Sequence, residues 1–335
     1  MINTKIIKGN FGALFAQLPY ITLKTAVIIT DEYVYALHQQ KFEGIITIVI
    51  KASEQHKQQA TINDIVQQLI TLEVDRNYFI IGVGGGVVTD IAGYIASVYM
   101  RGLQFGFVPT TILAMVDAAI GGKNGIDIGQ YKNLVGTIKQ PNFLLYDYSF
   151  LQTLPQAEWI NGFAEIIKHA CIKDEALFDW LSHQSLDFFQ KNTAALATLI
   201  DQNIAIKSTI VIQDEFEKGD RKLLNFGHTL GHAIENVYQL PHGHAISIGM
   251  VMACTISEEI NNFSSAEKEK VIALLQKYYL PTTFNFDKDA IWHLLKMDKK
   301  RNSQSINFIL LNTIGQAIIK PISLIQLQDL IQQNL

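Results

Sequence analysis

Residues Tyr78–Met100, YFIIGVGGGVVTDIAGYIASVYM, run from an apolar stretch through a glycine cluster into a segment of small and apolar residues. An uninterrupted apolar run closed by glycine has the character of a strand buried on both faces. The small-residue segment after it suits a helix lying close against that strand. Gly82, Gly84, Gly85 and Gly86 precede Asp90 in the spacing GxGGGxxxD, which differs from GxGxxG. Glycines here let the backbone approach a pyrophosphate, whose charge the N-terminus of the next helix meets. A tight structural turn is the plainer account; the strand before and the helix after favour the dinucleotide reading.

The same alternation continues on either side. TAVIITD (25–31), GIITIVI (44–50), LQFGFVPTT (103–111) and NFLLYD (142–147) read as further short strands, and residues 52–74 as a polar loop entering an amphipathic helix. Strand and helix alternating at this interval predict a parallel sheet covered by helices, a Rossmann-like α/β arrangement. After residue 150 the pattern is helical, apart from a strand-like patch at INFILL (306–311). We therefore expect an α/β domain over residues 1–150 and an all-α domain over 151–335.

The chain has 335 residues, 48% hydrophobic and 17% charged, as in a well-buried globular protein of more than one core. A net charge of −4 gives no reason to expect nucleic acid as a partner. Two cysteines, Cys171 and Cys254, lie in apolar helical contexts and read as reduced thiols. The N-terminus lacks the pattern of a signal peptide, and no run of 18 apolar residues occurs. A soluble, cytoplasmic protein is expected.

Four of the nine histidines, His228, His232, His242 and His244, fall within 17 residues of LLNFGHTLGHAIENVYQLPHGHAISIGM (223–250). His228 and His232 stand one helical turn apart, and His242 and His244 follow a Leu-Pro break. Such a cluster suits a divalent metal or acid/base work as well as satisfied core histidines. In NGFAEIIKHACIKD, Glu165 and Lys168 are three apart; a surface ion pair is the plain reading, but apolar neighbours argue for a buried face and a carboxylate ligand. The glycine-rich stretch DAAIGGKNGIDIGQYKN (117–133) reads as a functional loop carrying Asp117, Lys123, Asp127, Lys132 and Asn133. Lys207 and Arg221, with Asn225 leading into the histidine stretch and the basic run after Asp298, offer basic groups that singly read as solvated charges and together with Lys123 as an anion pocket.

Taken in order, GGGVVTD, RGLQFGFVPTTILAMVDAAIGGKNGID, KNLVG, GFAEIIKH, LLNFGHTLGHAIE and MDKK resemble the 3-dehydroquinate synthase family over essentially the whole chain. The resemblance implies the dehydroquinate synthase-like fold, with a site in the cleft between an NAD-binding domain and a helical domain. It implies Glu165, His228 and His242 as ligands of Zn²⁺ (or Co²⁺). It implies NAD contacts at Asp31, Glu54, Lys57, Gly85, Gly86, Val87, Val88, Thr89, Asp90, Thr110, Thr111, Lys123, Lys132, Phe150, Leu151, Gln152 and Thr153. Substrate contacts fall on Asp117, Lys123, Asn133, Lys168, Lys207, Arg221, Asn225, His232 and either Lys299 or Lys300, and Arg101 resembles the arginine that family homodimers lend to the partner's phosphate site. The implied reaction belongs to the shikimate pathway. A heptulosonate phosphate is transiently oxidised by NAD, loses phosphate, is reduced again and closes by an intramolecular aldol step. Two positions depart from the family pattern: His244 stands where an acid is common, and Tyr33 where Asn is frequent; the Pro-His-Gly context favours His242 over His244 as ligand. Rival readings are another sugar phosphate cyclase, a polyol dehydrogenase of the glycerol dehydrogenase type, and a non-catalytic NAD-binding regulator.

Overall fold

The computed structural model describes residues 4–129, 131–298 and 304–334, with the side chains of residues 296–298 and 334 outside the description. By internal contacts the chain divides into two compact units, Met1–Glu158 and Trp159–Leu335.

In the first unit, β1 (Lys5–Lys8), β2 (Ala26–Asp31), β3 (Ile46–Ile50), β4 (Phe79–Gly84), β5 (Gln104–Pro109) and β8 (Phe143–Tyr146) form one parallel sheet in the order β1-β8-β5-β4-β2-β3. All six residues of β4 and all four of β8 are buried, as strands covered on both faces must be. The tight face-to-face packing rests on missing side chains. A Cβ on Gly82 would lie 2.8 Å from Ala92 Cβ, and one on Gly106 2.3 Å from the Phe143 ring. Phe143 in turn stacks on Phe79 at 5.7 Å between ring centres, within a core that includes Phe11, Ile28, Val108 and Phe150. From β2 the chain goes to β3 on one side and to β4 on the other, so the strand order reverses at β2. The carboxyl ends of β2 and β4 are therefore the place where such a sheet opens a crevice.

Two features of this unit were not read from sequence. The short β1, flanked by lysines, is one. The other is the stretch expected to be a loop, which instead forms a π-turn (Ala114–Ala118) and an antiparallel ribbon of β6 (Lys123–Ile128) and β7 (Tyr131–Ile138). Its glycines serve close approach: a Cβ on Gly136 would lie 2.3 Å from the Asn124 carbonyl, and a Cβ on Gly93 would strike Asn124.

The second unit is mostly helical. Its expected all-α character is corrected by a hairpin, β9 (Ser305–Thr313) and β10 (Gln316–Ser323), turning at Ile314-Gly315, where Gly315 has φ +86°. The patch at 306–311 is the inner part of β9. Pro321 lies in β10, where a two-stranded sheet offers the edge position that proline tolerates. The helix Thr193–Gln213 is the one described helix long and apolar enough to cross a membrane by composition. It carries Asn203 and Lys207 on its buried positions, as the core helix of a packed unit does.

Replacing Gly106 with Ala should lower stability by about 1–3 kcal/mol, because the Phe143 ring must leave its rotamer or β5 must shift. A lower midpoint in urea unfolding of the variant is the expected result.

Candidate functional site

The second unit gathers two of the four clustered histidines around one carboxylate. Helix α1 (Gln156–Lys173) runs from the chain's division point and buries Glu165 and Lys168 completely among apolar neighbours. Helices α2 (His228–Tyr238) and α3 (His242–Asn261) supply the histidines. Gly227 caps α2 in the left-handed region, φ +77°. The two helices meet along a glycine seam. A Cβ on Gly249 would sit 2.0 Å from the Gly227 carbonyl, one on Gly231 would sit 2.9 Å from the Ala245 carbonyl, and one on Gly243 would meet the Asn161 backbone. Without Cβ atoms α3 settles against both α2 and α1, and the Gly243 N–H donates to Asn161 Oδ1.

The result is a convergence of donors. Glu165 Oε1 lies 3.1 Å from His242 Nε2 and 3.4 Å from His228 Nε2. Donors bound tetrahedrally to Zn²⁺ at about 2.0–2.1 Å stand about 3.3 Å from one another. The three residues therefore fit such an ion. The far nitrogens are also engaged, since His228 Nδ1 lies 3.1 Å from the Phe226 carbonyl and His242 Nδ1 3.5 Å from Glu235 Oε2. That leaves both Nε2 atoms facing the carboxylate. Lys168 pairs with the other oxygen of Glu165. Burial alone raises a carboxyl pKa, but Lys168 and His228 outweigh it and hold Glu165 well below the usual range. Burial and Lys168 lower His228. His242 is pushed up to about 10, as Glu165 and Glu235 overcome its desolvation.

His232 is exposed, its ring 4.9 Å from that of His228 and 6.1 Å from that of His242. His244 joins no cluster of ligand atoms among the described residues; its half-buried ring has a pKa lowered by burial. Lys207 and Arg221 are buried cations at 7% and 3% exposure. Arg221 Nη1 donates to the Glu215 carbonyl at 2.5 Å, and its backbone N–H donates to Asp214, which also receives Lys218 and Gly219. Asn225 Nδ2 donates to Glu217 Oε1 at 2.6 Å, with Glu217 in the left-handed region at φ +58°. Glu217 and Glu235 were not singled out from sequence: one sits in a charged turn, the other reads as the wet face of a helix. Lys299 and Lys300 lie outside the described residues.

The first unit holds a second constellation. Lys57 Nζ lies 2.5 Å from Asp90, 2.5 Å from Asn133 Oδ1 and 3.8 Å from Glu54, and Lys132 lies 4.0 Å from Glu54. Asp127 accepts from the Asn133 N–H at 2.7 Å, with Asn133 left-handed at φ +53°. Despite burial, Asp90 and Glu54 raise the pKa of Lys57; burial raises Asp90. At the strand ends, Asp31 caps the following helix through Tyr33 and Val34, which leaves the Tyr33 side chain exposed. Gly85 caps the helix Gly86–Val98, whose first turn is Gly86, Val87, Val88, Thr89 and Asp90. Thr111 lies against Gly85, and Thr110 Oγ1 is buried with no hydrogen-bond partner among the described residues. The turn Tyr148–Thr153, with Phe150, Leu151, Gln152 and Thr153, is pinned by His38, which bonds Thr153 at 2.8 Å and packs on Phe150. Asp117 stands in the π-turn, Lys123 opens β6, and Arg101 is an exposed left-handed residue at φ +67°.

Models of the 3-dehydroquinate synthase N-terminal and C-terminal regions match residues 47–161 and 162–301. The chain belongs to the 3-dehydroquinate synthase family. It is 37% identical over 330 residues to the 3-dehydroquinate synthase of Campylobacter concisus, covering 95% of this chain and 94% of that one. To the Saccharolobus solfataricus 3-dehydroquinate synthase it is 43% identical over 267 residues, 77% and 75% of the two chains. Among solved structures it resembles 2-epi-5-epi-valiolone synthase from Streptomyces hygroscopicus, solved with NAD⁺ and Zn²⁺, at TM-score 0.89 and 26% identity over 99% of this chain and 96% of that one.

Gly249→Ala places a methyl group against backbone that has no room to move. It should cost about 1–3 kcal/mol in unfolding experiments, and by parting α2 from α3 it should weaken zinc binding measured by chelator competition.

Proposed function

We propose that this chain is a 3-dehydroquinate synthase, a phosphate-eliminating lyase that converts 3-deoxy-D-arabino-heptulosonate 7-phosphate to 3-dehydroquinate and phosphate, as a soluble cytoplasmic homodimer in aromatic amino acid biosynthesis. The observation that carries the proposal is the convergence of His228 and His242 on Glu165, at 3.4 and 3.1 Å, in a chain of this family. Glu165, His228 and His242 hold Zn²⁺ or Co²⁺. Gly85–Asp90, Asp31, Glu54, Lys57, Thr110, Thr111, Lys123, Lys132 and the Phe150–Thr153 turn would hold NAD. The Thr110 hydroxyl beside that glycine turn, buried with no hydrogen-bond partner among the described residues, supports a polar ligand there. When bound, the metal supplies Lewis acidity at a substrate oxygen and NAD supplies reversible hydride acceptance.

The chain's own residues bind, orient and move protons. Lys207 and Arg221 are taken out of bulk water, so an anionic group gains more from them than from surface cations. The Glu215 carbonyl anchors one guanidinium nitrogen and so fixes the direction of the fork. Asn225 and Asn133 orient hydroxyls, Lys168 holds Glu165 ionised, and Asp117, Lys123 and one of Lys299 and Lys300 complete the substrate contacts. His232 stands apart from the carboxylate and carries a proton at the substrate. Arg101 reaches the phosphate of the partner's site.

With the heptulosonate phosphate, NAD⁺ and Zn²⁺, phosphate and 3-dehydroquinate should appear in equal amounts while absorbance at the NADH band stays flat. Absence of phosphate release, or NADH growing with turnover, refutes the assignment. His228→Ala should lose activity by about three orders of magnitude or more, in line with removal of a group acting directly in an assembled site.

A further inference from the structure

We infer that Glu235 is a positioning residue for the metal centre, holding His242 as the Nδ1–H tautomer so that its Nε2 lone pair points at the ion. The inference rests on the metal site proposed above and adds a residue that takes no direct part in it.

The sequence of α2 places His228, His232 and Glu235 at i, i+4 and i+7, one stripe on one face. That face meets the start of α3 because Gly227, Gly231 and Gly249 let the helices touch backbone to backbone. Only three residues, Gln239–Pro241, separate the two helices, and Gln239 turns the chain in the left-handed region at φ 52°. The tight return sets His242, first residue of α3, between two carboxylates. Nε2 faces Glu165 Oε1 at 3.1 Å and Nδ1 faces Glu235 Oε2 at 3.5 Å. Glu235 is 7% exposed. A carboxylate so nearly buried needs a charged or donating neighbour, and His242 Nδ1 stands 3.5 Å from its Oε2.

The consequence is an asymmetry between the two histidine ligands. His228 directs Nδ1 to the neutral Phe226 carbonyl, whereas His242 directs it to a carboxylate. A carboxylate behind a ligating histidine fixes the ring plane and makes the outward nitrogen a stronger donor, and losing such a partner lowers metal affinity by about 10–100-fold. The arrangement also separates His242 from His244, two residues along the same helix, which joins neither carboxylate in a cluster of ligand atoms among the described residues. His232, Glu235 and His242 have ligand atoms within 4.8 Å of one another, so a second ion held directly by Glu235 is the rival account. It demands that the His242 ring bind ions through both nitrogens.

The test is zinc affinity and stoichiometry of the full chain, by chelator competition and metal analysis, for wild type, Glu235→Gln and Glu235→Ala. Wild type should bind one ion per chain. Glu235→Ala should bind one ion 10–100-fold more weakly, and Glu235→Gln, which keeps an acceptor without the charge, at least three-fold more weakly. Unfolding midpoints of the metal-free proteins identify any loss caused by a loosened helix, and if Glu235→Ala does not fold, Glu235→Gln decides. Affinity within two-fold of wild type in the folded variants overturns the inference. So does a wild type holding two ions of which Glu235→Ala loses one. Wild type binding no zinc overturns the metal-site reading itself.

Discussion

A carboxylate with no exposure at all constrains the second unit. Glu165 is carried into an apolar helix face, and an isolated charge there costs far more than a domain's net stability. Its neighbours are therefore obligatory. Lys168 takes one oxygen, and His228 and His242 approach the other. The group is compensated by what surrounds it, and an ion placed among the same donors would satisfy it in another way. The glycine seam follows from the same need, because no larger residue would let the helices bring their histidines so near.

The first unit solves a different problem with the same means. A parallel sheet buried on both faces leaves polar work to its strand ends, and the reversal of order at β2 opens those ends to a ligand. Lys57, with Glu54, Asp90 and Asp127 near it, is outnumbered by acids, and Lys132 is the further cation.

Strands β2, β4, β5 and β8 were legible because strands buried on both faces must be continuous apolar runs, and the half-buried edge strand β3 is an apolar run as well. β1 was not: four residues flanked by lysines carry no such signal. The ribbon of β6 and β7 was hidden by glycines, which report permissive backbone without saying whether a turn or a close approach requires it. Glu165 could be suspected from its apolar flanks, but its pairing with His228 and His242 came from the family resemblance, since spacing alone also nominated His232. Glu217 and Glu235 were illegible because a charged residue in a turn or on an amphipathic helix ordinarily faces water. Tertiary packing buries Glu235, while Glu217 meets Asn225 from a half-buried place in its turn.

The pairing of β1 with β8 has a consequence for how the chain is made. Lys5 bonds alongside Phe143, so a strand made early in this unit waits for one of the unit's last elements. Until then one side of the Gln104–Pro109 strand lies open, and its apolar residues and unpaired backbone are a template for other chains. Such long-range closure is slow as well. Yield in a heterologous host should therefore respond more to chaperone supply and growth temperature than the thermodynamic stability of the finished fold would suggest.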